Sequence, residues 1–207
     1  MKGIGIRTGI VLFIGGIGSL GATDSFEANL FAGRPSGAFV RDGSVDQAVF
    51  RAITDVAIDS EDNIYAAEWG YAVRKITPEG VVSTLAGKSD ESGFLDGPGT
   101  EARFNVIRGI AVNEEGVVYV ADAGNHVVRR IGLDGIVSTL AGEPGVSGEA
   151  DGQGGQARFN NPVSVEVGPD GVLYVADQRN HRVCKVTPEG LVSTVARAGT
   201  PEGLAID

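Results

Sequence analysis

Two short runs carry an acid, an amide and an imidazole in the same order. Asp122 precedes Asn125 and His126, and Asp177 precedes Asn180 and His181. Such side chains serve acid–base chemistry and metal binding. Recurrence at a fixed spacing is nevertheless typical of scaffolding, since a catalytic site usually occurs once. We interpret all six residues as structural turns, in which the Asn-His pairs donate hydrogen bonds to the aspartates.

Three further charged residues lie in apolar runs that align with one another along the chain. Asp55 corresponds to Gly109 and Ser164, Arg108 to Thr54 and Val163, and Glu166 to Ala57 and Ala111. These charges therefore break an internal repeat. If the three runs converge, Asp55, Arg108 and Glu166 contribute to one polar site; the alternative is that Arg108 and Glu166 neutralise each other or face solvent.

The elements that position these residues recur every 54 or 55 residues, as the series Phe50, Phe104 and Phe159 shows. Each unit contains four short runs rich in Val, Ile and Leu, separated by turn residues such as Glu115-Gly116 and Asp134-Gly135. The pattern predicts a four-stranded antiparallel sheet. Both faces of such a sheet are apolar and need cover, which radial stacking of blades provides.

The run from Tyr119 to Asp122, followed by Asn125 to Ile131, resembles an NHL repeat, as do Tyr174 to Asp177 and Asn180 to Val186. The resemblance implies an all-β fold, a β-propeller of NHL type with blades at about 48–87, 102–142 and 157–197. The first unit departs from it, because Glu68-Trp69-Gly70-Tyr71 replaces the aspartate and the Asn-His pair.

The ends of the chain align with parts of a blade. Residues 28–33 match an outermost strand and residues 201–207 match an innermost strand. We therefore expect an incomplete propeller over residues 26–207, with three full blades, or a ring closed by two copies. An exposed blade face would then favour self-association.

Residues 1–22 differ from the rest, since Lys2 and Arg7 precede an apolar run that ends near Gly21-Ala22. This order is typical of a signal peptide and predicts a secreted or periplasmic protein. The alternatives are an uncleaved anchor, which would be the one contact with a membrane, and a buried strand. A net charge of −10 disfavours a nucleic-acid partner, and the single cysteine, Cys184, excludes an intrachain disulfide.

The loops between units are acidic, and the pair Asp-Gly recurs in them at 42, 96 and 151. Carboxylates and carbonyls could bind Ca²⁺. One Asp-Gly per unit is more typical of a structural turn, so we expect no cofactor and keep Ca²⁺ as the alternative.

Two functions fit this sequence. The first is an exported scaffold for a protein, peptide or glycan ligand, because the chain contains no nucleophile elbow, phosphate loop or Cys-His pair in a fitting context. The second is part of a metal-dependent propeller enzyme of gluconolactonase-like or lyase type. For a gluconolactonase, the resemblance implies carboxylates around one divalent ion at the axis, where Asp55 and Glu166 are the nearest candidates.

Overall fold

The computed structural model describes residues 34–35 and 40–206. Nearly all regular structure is β, arranged as three separate antiparallel sheets of five strands each. We number these sheets blades 1 to 3 in chain order. A further short pair joins Arg34–Pro35 in parallel to Val49–Phe50.

Each blade is a meander in which the innermost strand comes first. The four main strands of blade 1 are Ile53–Ile58, Ile64–Glu68, Ala72–Ile76 and Val81–Gly87. Those of blade 2 are Ile107–Val112, Val118–Asp122, Val127–Ile131 and Ile136–Ala141. Those of blade 3 are Pro162–Val167, Leu173–Asp177, Arg182–Val186 and Leu191–Arg197.

A fifth strand of two residues lies outside each predicted set of four. It is supplied by the loop that enters the blade, at Gly43–Ser44, Gly97–Pro98 and Gly152–Gln153, and pairs with the fourth strand. The predicted four-stranded sheets are thus confirmed, with one short addition. The extra strand covers part of an outer edge that would otherwise be free to pair with another chain.

The blades stack face to face through apolar side chains. Phe104 and Phe159, fully buried, enter the blade 1–2 and blade 2–3 cores respectively. The opposite side of each core comes from the second and third strands of the preceding blade, as with Tyr119 and Val128 facing blade 3. Burial of this surface is what holds one blade on the next.

Inner strands of neighbouring blades lie very close to each other. A Cβ at Gly109 would stand 2.8 Å from the Cα of Ser164 and 3.0 Å from the carbonyl oxygen of Val163. Only glycine fits this approach without moving the strands apart. The inner strands therefore form a tight hub that brings side chains of different blades together.

Blade 3 carries an apolar face with less cover than its equivalents. Val195 is 47% exposed, whereas the corresponding Leu85 and Leu140 pack partly buried against the next blade. Three blades are fewer than the roughly four to eight of closed propellers. Self-association through this face stays a prediction.

Residues 201–206 form no strand, contrary to the innermost strand predicted there. In blades 1 to 3 an inner strand pairs along its length with the second strand of its own blade, and these residues have no such neighbour in the described structure. The predicted strand 28–33 and the predicted export segment 1–22 lie outside the described residues. Among those that are described, no helix is long and apolar enough to span a bilayer.

Candidate functional site at the upper rim and hub

The end of the blades at which the second strands finish, called the upper rim, holds a buried ion pair in every blade. In blade 2 the guanidinium of Arg129 donates to Asp122 at 2.9 Å and to Asp96 at 2.6 Å. It also donates to the carbonyl oxygens of Arg103 and Leu95. Arg129 and Asp122 are both fully buried. These buried charged groups bind each other and the backbone, so their role is structural.

Blade 3 builds the same contact from a different position. Cys184 stands where blade 2 has Arg129, and Arg182, two residues earlier on the same face of the strand, supplies the guanidinium. Its Nε lies 2.8 Å from Asp177 and its Nη1 lies 2.9 Å from Asp151. Burial raises the pKa of Cys184 to about 11, so its thiol is not ionised at neutral pH.

The loop aspartates of the Asp-Gly pairs complete these networks. Asp96 accepts hydrogen bonds from the backbone and hydroxyl of Thr139, and Asp151 does the same with Thr194. In blade 1, Asp42 serves Thr84 and Arg74 alike. The recurring Asp-Gly thus fastens the entering loop to the fourth strand of its blade.

The turn amides behave as the turn hypothesis expects. The amide nitrogen of Asn125 donates to Asp122 at 2.8 Å, and that of Asn180 donates to Asp177 at 2.7 Å. Backbone N–H groups of Asn105 and Asn160 reach the same two aspartates. Burial raises the pKa of Asp122 to about 6, and these donors oppose the rise. The carboxylate therefore stays ionised at neutral pH.

The imidazoles of the two histidines do not make the predicted hydrogen bonds, because neither imidazole donates to an aspartate in the described structure. His126 and His181 have left-handed backbones, with φ of 60° and 53°, and end the turns. Their rings point onward along the chain: Nδ1 of His126 accepts the N–H of Asn161 in blade 3 at 3.1 Å. Burial, followed by the charge of Arg179, lowers the pKa of His126, while Asp177 opposes the change.

Blade 1 reaches a similar result with other residues. Glu68 is fully buried and binds Arg74 at 2.9 Å. The hydroxyl of Ser89 donates to Glu68 at 2.8 Å, in place of the missing asparagine. Because the turn lacks the Asn-His pair, its next residue, Trp69, extends into solvent and is 52% exposed.

Arg108 and Trp69 form a contact that sequence reasoning missed. The guanidinium carbon of Arg108 lies 5.8 Å from the centroid of the indole. The turn that carries Trp69 is also joined to the start of the same inner strand, because Ile107 donates its N–H to the carbonyl of Gly70. Nothing but the departure of this turn from the repeat marked it in the sequence.

Asp55 and Glu166 lie near enough at the hub for their charges to interact, whereas Arg108 forms an ion pair with neither. One Asp55 oxygen accepts the N–H of Ile110, from blade 2, at 2.9 Å. Burial raises the pKa of Asp55. Burial, and then the negative charge of Asp55, raises the pKa of Glu166 to about 7. Of the three predicted residues, Asp55 and Glu166 therefore interact electrostatically between blades 1 and 3, and Arg108 contacts Trp69.

The carboxylates of the described residues do not form a cluster of metal ligands. Within residues 40–206 no three His, Cys, Asp or Glu side chains are grouped so as to hold a metal ion. The loop carboxylates Glu91, Glu143 and Glu149 lie in ion pairs with Arg103, Arg158 and Arg197 respectively.

Three stacked meanders with inner strands at a common hub define the class of β-propellers. Residues 104–131 and 159–186, which cover the first three strands of blades 2 and 3, each match the family model of the NHL repeat. The described chain is therefore built of propeller blades, of which blades 2 and 3 contain NHL repeats.

Known proteins with similar sequence or structure agree with this assignment. The chain is 35% identical over 120 residues to NHL repeat-containing protein 2 of Gallus gallus, a match that covers 53% of this chain and 16% of that protein. A crystal structure of a protein of unknown function from Bacteroides thetaiotaomicron aligns with a TM-score of 0.57 and 30% identity, over 64% of this chain and 33% of that one.

A gluconolactonase from Xanthomonas campestris aligns with a TM-score of 0.51 over 70% of this chain and 47% of that chain. At 18% identity this likeness shows the fold alone. The chain spans less than half of each of these three proteins.

Proposed function

We propose that this chain is a binding scaffold whose upper rim forms a binding site for a protein, a peptide or a glycan. One observation carries the proposal: the polar residues that recur in every blade are engaged in structural contacts, whereas Trp69 and Arg108 occur once and meet solvent at the same rim. A rigid propeller with a variable rim is well suited to recognition.

The proposal includes export to a secreted or periplasmic location, with membrane anchoring as the alternative. It rests on the order of charge, apolar run and small residues in 1–22.

Calorimetry with a panel of short synthetic peptides and oligosaccharides tests the scaffold. A ligand of the rim should bind the unaltered chain, lose at least about tenfold in affinity with Trp69→Ala, and bind Leu133→Ala normally. Leu133 is a matched control because it is 73% exposed at the opposite end of blade 2. Absence of any binding, or equal binding to Trp69→Ala, would contradict the proposal.

The second candidate is a metal-dependent hydrolase or lyase acting at the hub. The electrostatic interaction between Asp55 and Glu166 favours it, because neighbouring carboxyl groups are ligands that Ca²⁺ accepts. Calcium titration calorimetry of the chain and of the double variant Asp55→Ala, Glu166→Ala tests it. Heat that is the same for both proteins would discard the hub as a metal site.

A further inference from the structure

We infer that the ligand of the upper rim is an acidic peptide, whose carboxylates bind Arg108 and Arg179 beside the indole of Trp69. The inference rests on the proposed function, since it gives the chemistry of a ligand for the same rim. Five residues carry it, and they are called the rim cluster below: Arg51, Trp69, Arg108, His126 and Arg179.

The guanidinium of Arg108 is available to bind an anion. Its guanidinium lies against the indole of Trp69, 5.8 Å from the ring centroid, and it forms no ion pair with any residue in 40–206. Stacking on an aromatic ring orients a guanidinium while leaving its N–H edge free. That edge matches the two oxygens of a carboxylate.

The backbone of Arg51 lies beside the turn that carries Trp69. Its backbone N–H donates to Glu68, and the next residue, Ala52, accepts the N–H of Trp69. Arg51 is partly buried and forms no ion pair with the described residues. A second arginine thus starts from backbone that is hydrogen-bonded to the Trp69 turn.

Arg179 extends the positive charge to blade 3. It is exposed, and its charge acts on His126, whose Nδ1 accepts the N–H of Asn161 from blade 3. Arg179, too, has no carboxylate partner among the described side chains. The rim cluster therefore runs across the turns of three successive blades.

The buried acids of the upper rim do not cancel this charge. Glu68, Asp122 and Asp177 are fully buried and each is paired with its own buried arginine. The loops at the same end carry Glu91, Glu143 and Glu149 in ion pairs with arginines outside the cluster, and Asp90 and Glu101 are exposed. The opposite end of blades 1 and 2 is acidic as well, with a recess of about 290 Å³ whose lining includes Asp59, Glu61, Glu114 and Glu115 and one cation, Lys75. In a chain of net charge −10, an acidic ligand is repelled elsewhere and attracted to the rim cluster.

The composition of the cluster favours a peptide. Tryptophan and arginine are the side chains that most often dominate the energy of protein interfaces, where an aromatic ring is anchored and a guanidinium forks a carboxylate. A few guanidinium groups on separate turns suit an extended chain with carboxylates at intervals. A nucleic acid, with a phosphate at every residue, would meet the overall negative charge of this protein.

The fluorescence of Trp69, the only tryptophan of the chain, reports binding directly. The probes are a synthetic Glu/Ser peptide, its Gln/Ser and Lys/Ser counterparts, an oligogalacturonate and a neutral oligosaccharide. The proteins are the full chain, Arg108→Gln, and Lys185→Gln, which removes the same charge from an exposed residue outside the cluster.

We expect the Glu/Ser peptide to bind, more weakly as salt rises, and to lose about tenfold in affinity with Arg108→Gln. Lys185→Gln should bind it within about twofold of the full chain. Arg108→Lys keeps the positive charge but lacks the parallel N–H donors of a guanidinium, so its affinity for the Glu/Ser peptide should fall between those of the other two variants. Arg108→Lys replaces Arg108→Gln in the experiment if Arg108→Gln does not fold.

The other outcomes separate the two proposals. Binding of the Gln/Ser peptide or the neutral oligosaccharide alone would overturn the acidic ligand and leave the scaffold standing. Binding of the oligogalacturonate without the Glu/Ser peptide would overturn the peptide. Equal losses in Arg108→Gln and Lys185→Gln would overturn the site, and no binding of any probe would count against scaffold and ligand together.

Discussion

The buried arginines and Arg108 have the same side chain in opposite surroundings. Arg74, Arg129 and Arg182 are enclosed, and each binds one buried and one loop carboxylate. Arg108 meets an exposed indole and no described carboxylate. Arg74 and Arg129 occupy equivalent positions, Arg182 makes the same kind of contact from two residues earlier, and Arg108 occurs once. In this chain the enclosed contact is kept even where the repeat changes, whereas the contact of Arg108 has no counterpart in the other blades.

The largest effect should come from breaking an enclosed pair. Arg129→Met leaves Asp122 buried without its countercharge, and we expect a loss of about 3–5 kcal/mol in the free energy of unfolding. Lys185→Met is the control, because Lys185 is an exposed cation on a third strand, and it should change stability by no more than about 0.5 kcal/mol. Urea denaturation measures both. Similar losses would remove the distinction between enclosed and exposed cations.

The comparison of blades 2 and 3 can be sharpened by moving the guanidinium. Arg182→Val should cost about 3 kcal/mol, since Asp177 stays buried without its partner. Adding Cys184→Arg places the guanidinium where blade 2 has it, on the same face of the strand, and should restore at least about 1.5 kcal/mol. Denaturation of the single and double variants decides this. A double variant no more stable than the single one would mean that the two blades are not interchangeable.

The hub should respond to pH in the opposite sense from a salt bridge. The pKa of Glu166 is raised to about 7 in the folded chain, so its neutral form favours folding. The stabilisation is complete below the ordinary glutamate pKa and is lost as pH rises through about 7. Glu166→Gln should therefore gain about 1 kcal/mol relative to the unaltered chain between pH 5 and pH 8.

Urea denaturation at the two pH values measures this gain. Glu189→Gln, an exposed glutamate of blade 3, is the control and should show no such trend. If the two variants follow one pH profile, Glu166 does not sense the hub.

The smallest effect should distinguish the two histidines. His126 accepts an N–H through Nδ1, which requires a neutral ring, and its pKa is lowered. This stabilisation is present above the ordinary histidine pKa and lost as pH falls through the lower folded value. His126→Phe should cost about 1 kcal/mol at pH 8 and less at pH 5.

His181 is the matched control, since it is exposed and its ring meets the carbonyl of Gly199. For the variant His181→Phe, we expect no loss of stability at pH 8 that becomes smaller at pH 5. Thermal melts of both variants at pH 8 and pH 5 test this prediction. If the two variants have the same pH dependence, the hydrogen bond from Asn161 to the His126 ring does not stabilise the contact between blades 2 and 3.

Much of the fold could be predicted because it repeats. Hydrophobic alternation and turns at a fixed spacing indicated three meanders, and the recurring Asp-Gly and Asp…Asn pairs indicated turns. The short fifth strand was missed, because two residues in a loop carry no strand pattern. The histidines belong to the predicted turns, but the asparagines alone donate side-chain hydrogen bonds to the aspartates, and the left-handed backbone of each histidine is set by the turn as a whole.

The candidate site was predicted in part. Aligning the units singled out Asp55, Arg108 and Glu166, but the alignment says only that each differs from its counterparts. Which of them meet depends on how far the inner strands are staggered and on where each side chain points. At the hub the charges of Asp55 and Glu166 interact, and Arg108 contacts Trp69.

By itself, the sequence determined that this protein is built of stacked four-stranded units, since apolar faces repeated along the chain can be hidden only against copies of themselves. Tertiary structure alone decided which charges are enclosed and which remain free. Arg182 binds Asp177 although blade 3 has a cysteine, Cys184, where blade 2 has its arginine, and Arg108 contacts the indole of Trp69. Distances in the folded structure, and not neighbours in sequence, determine which partners a long side chain reaches.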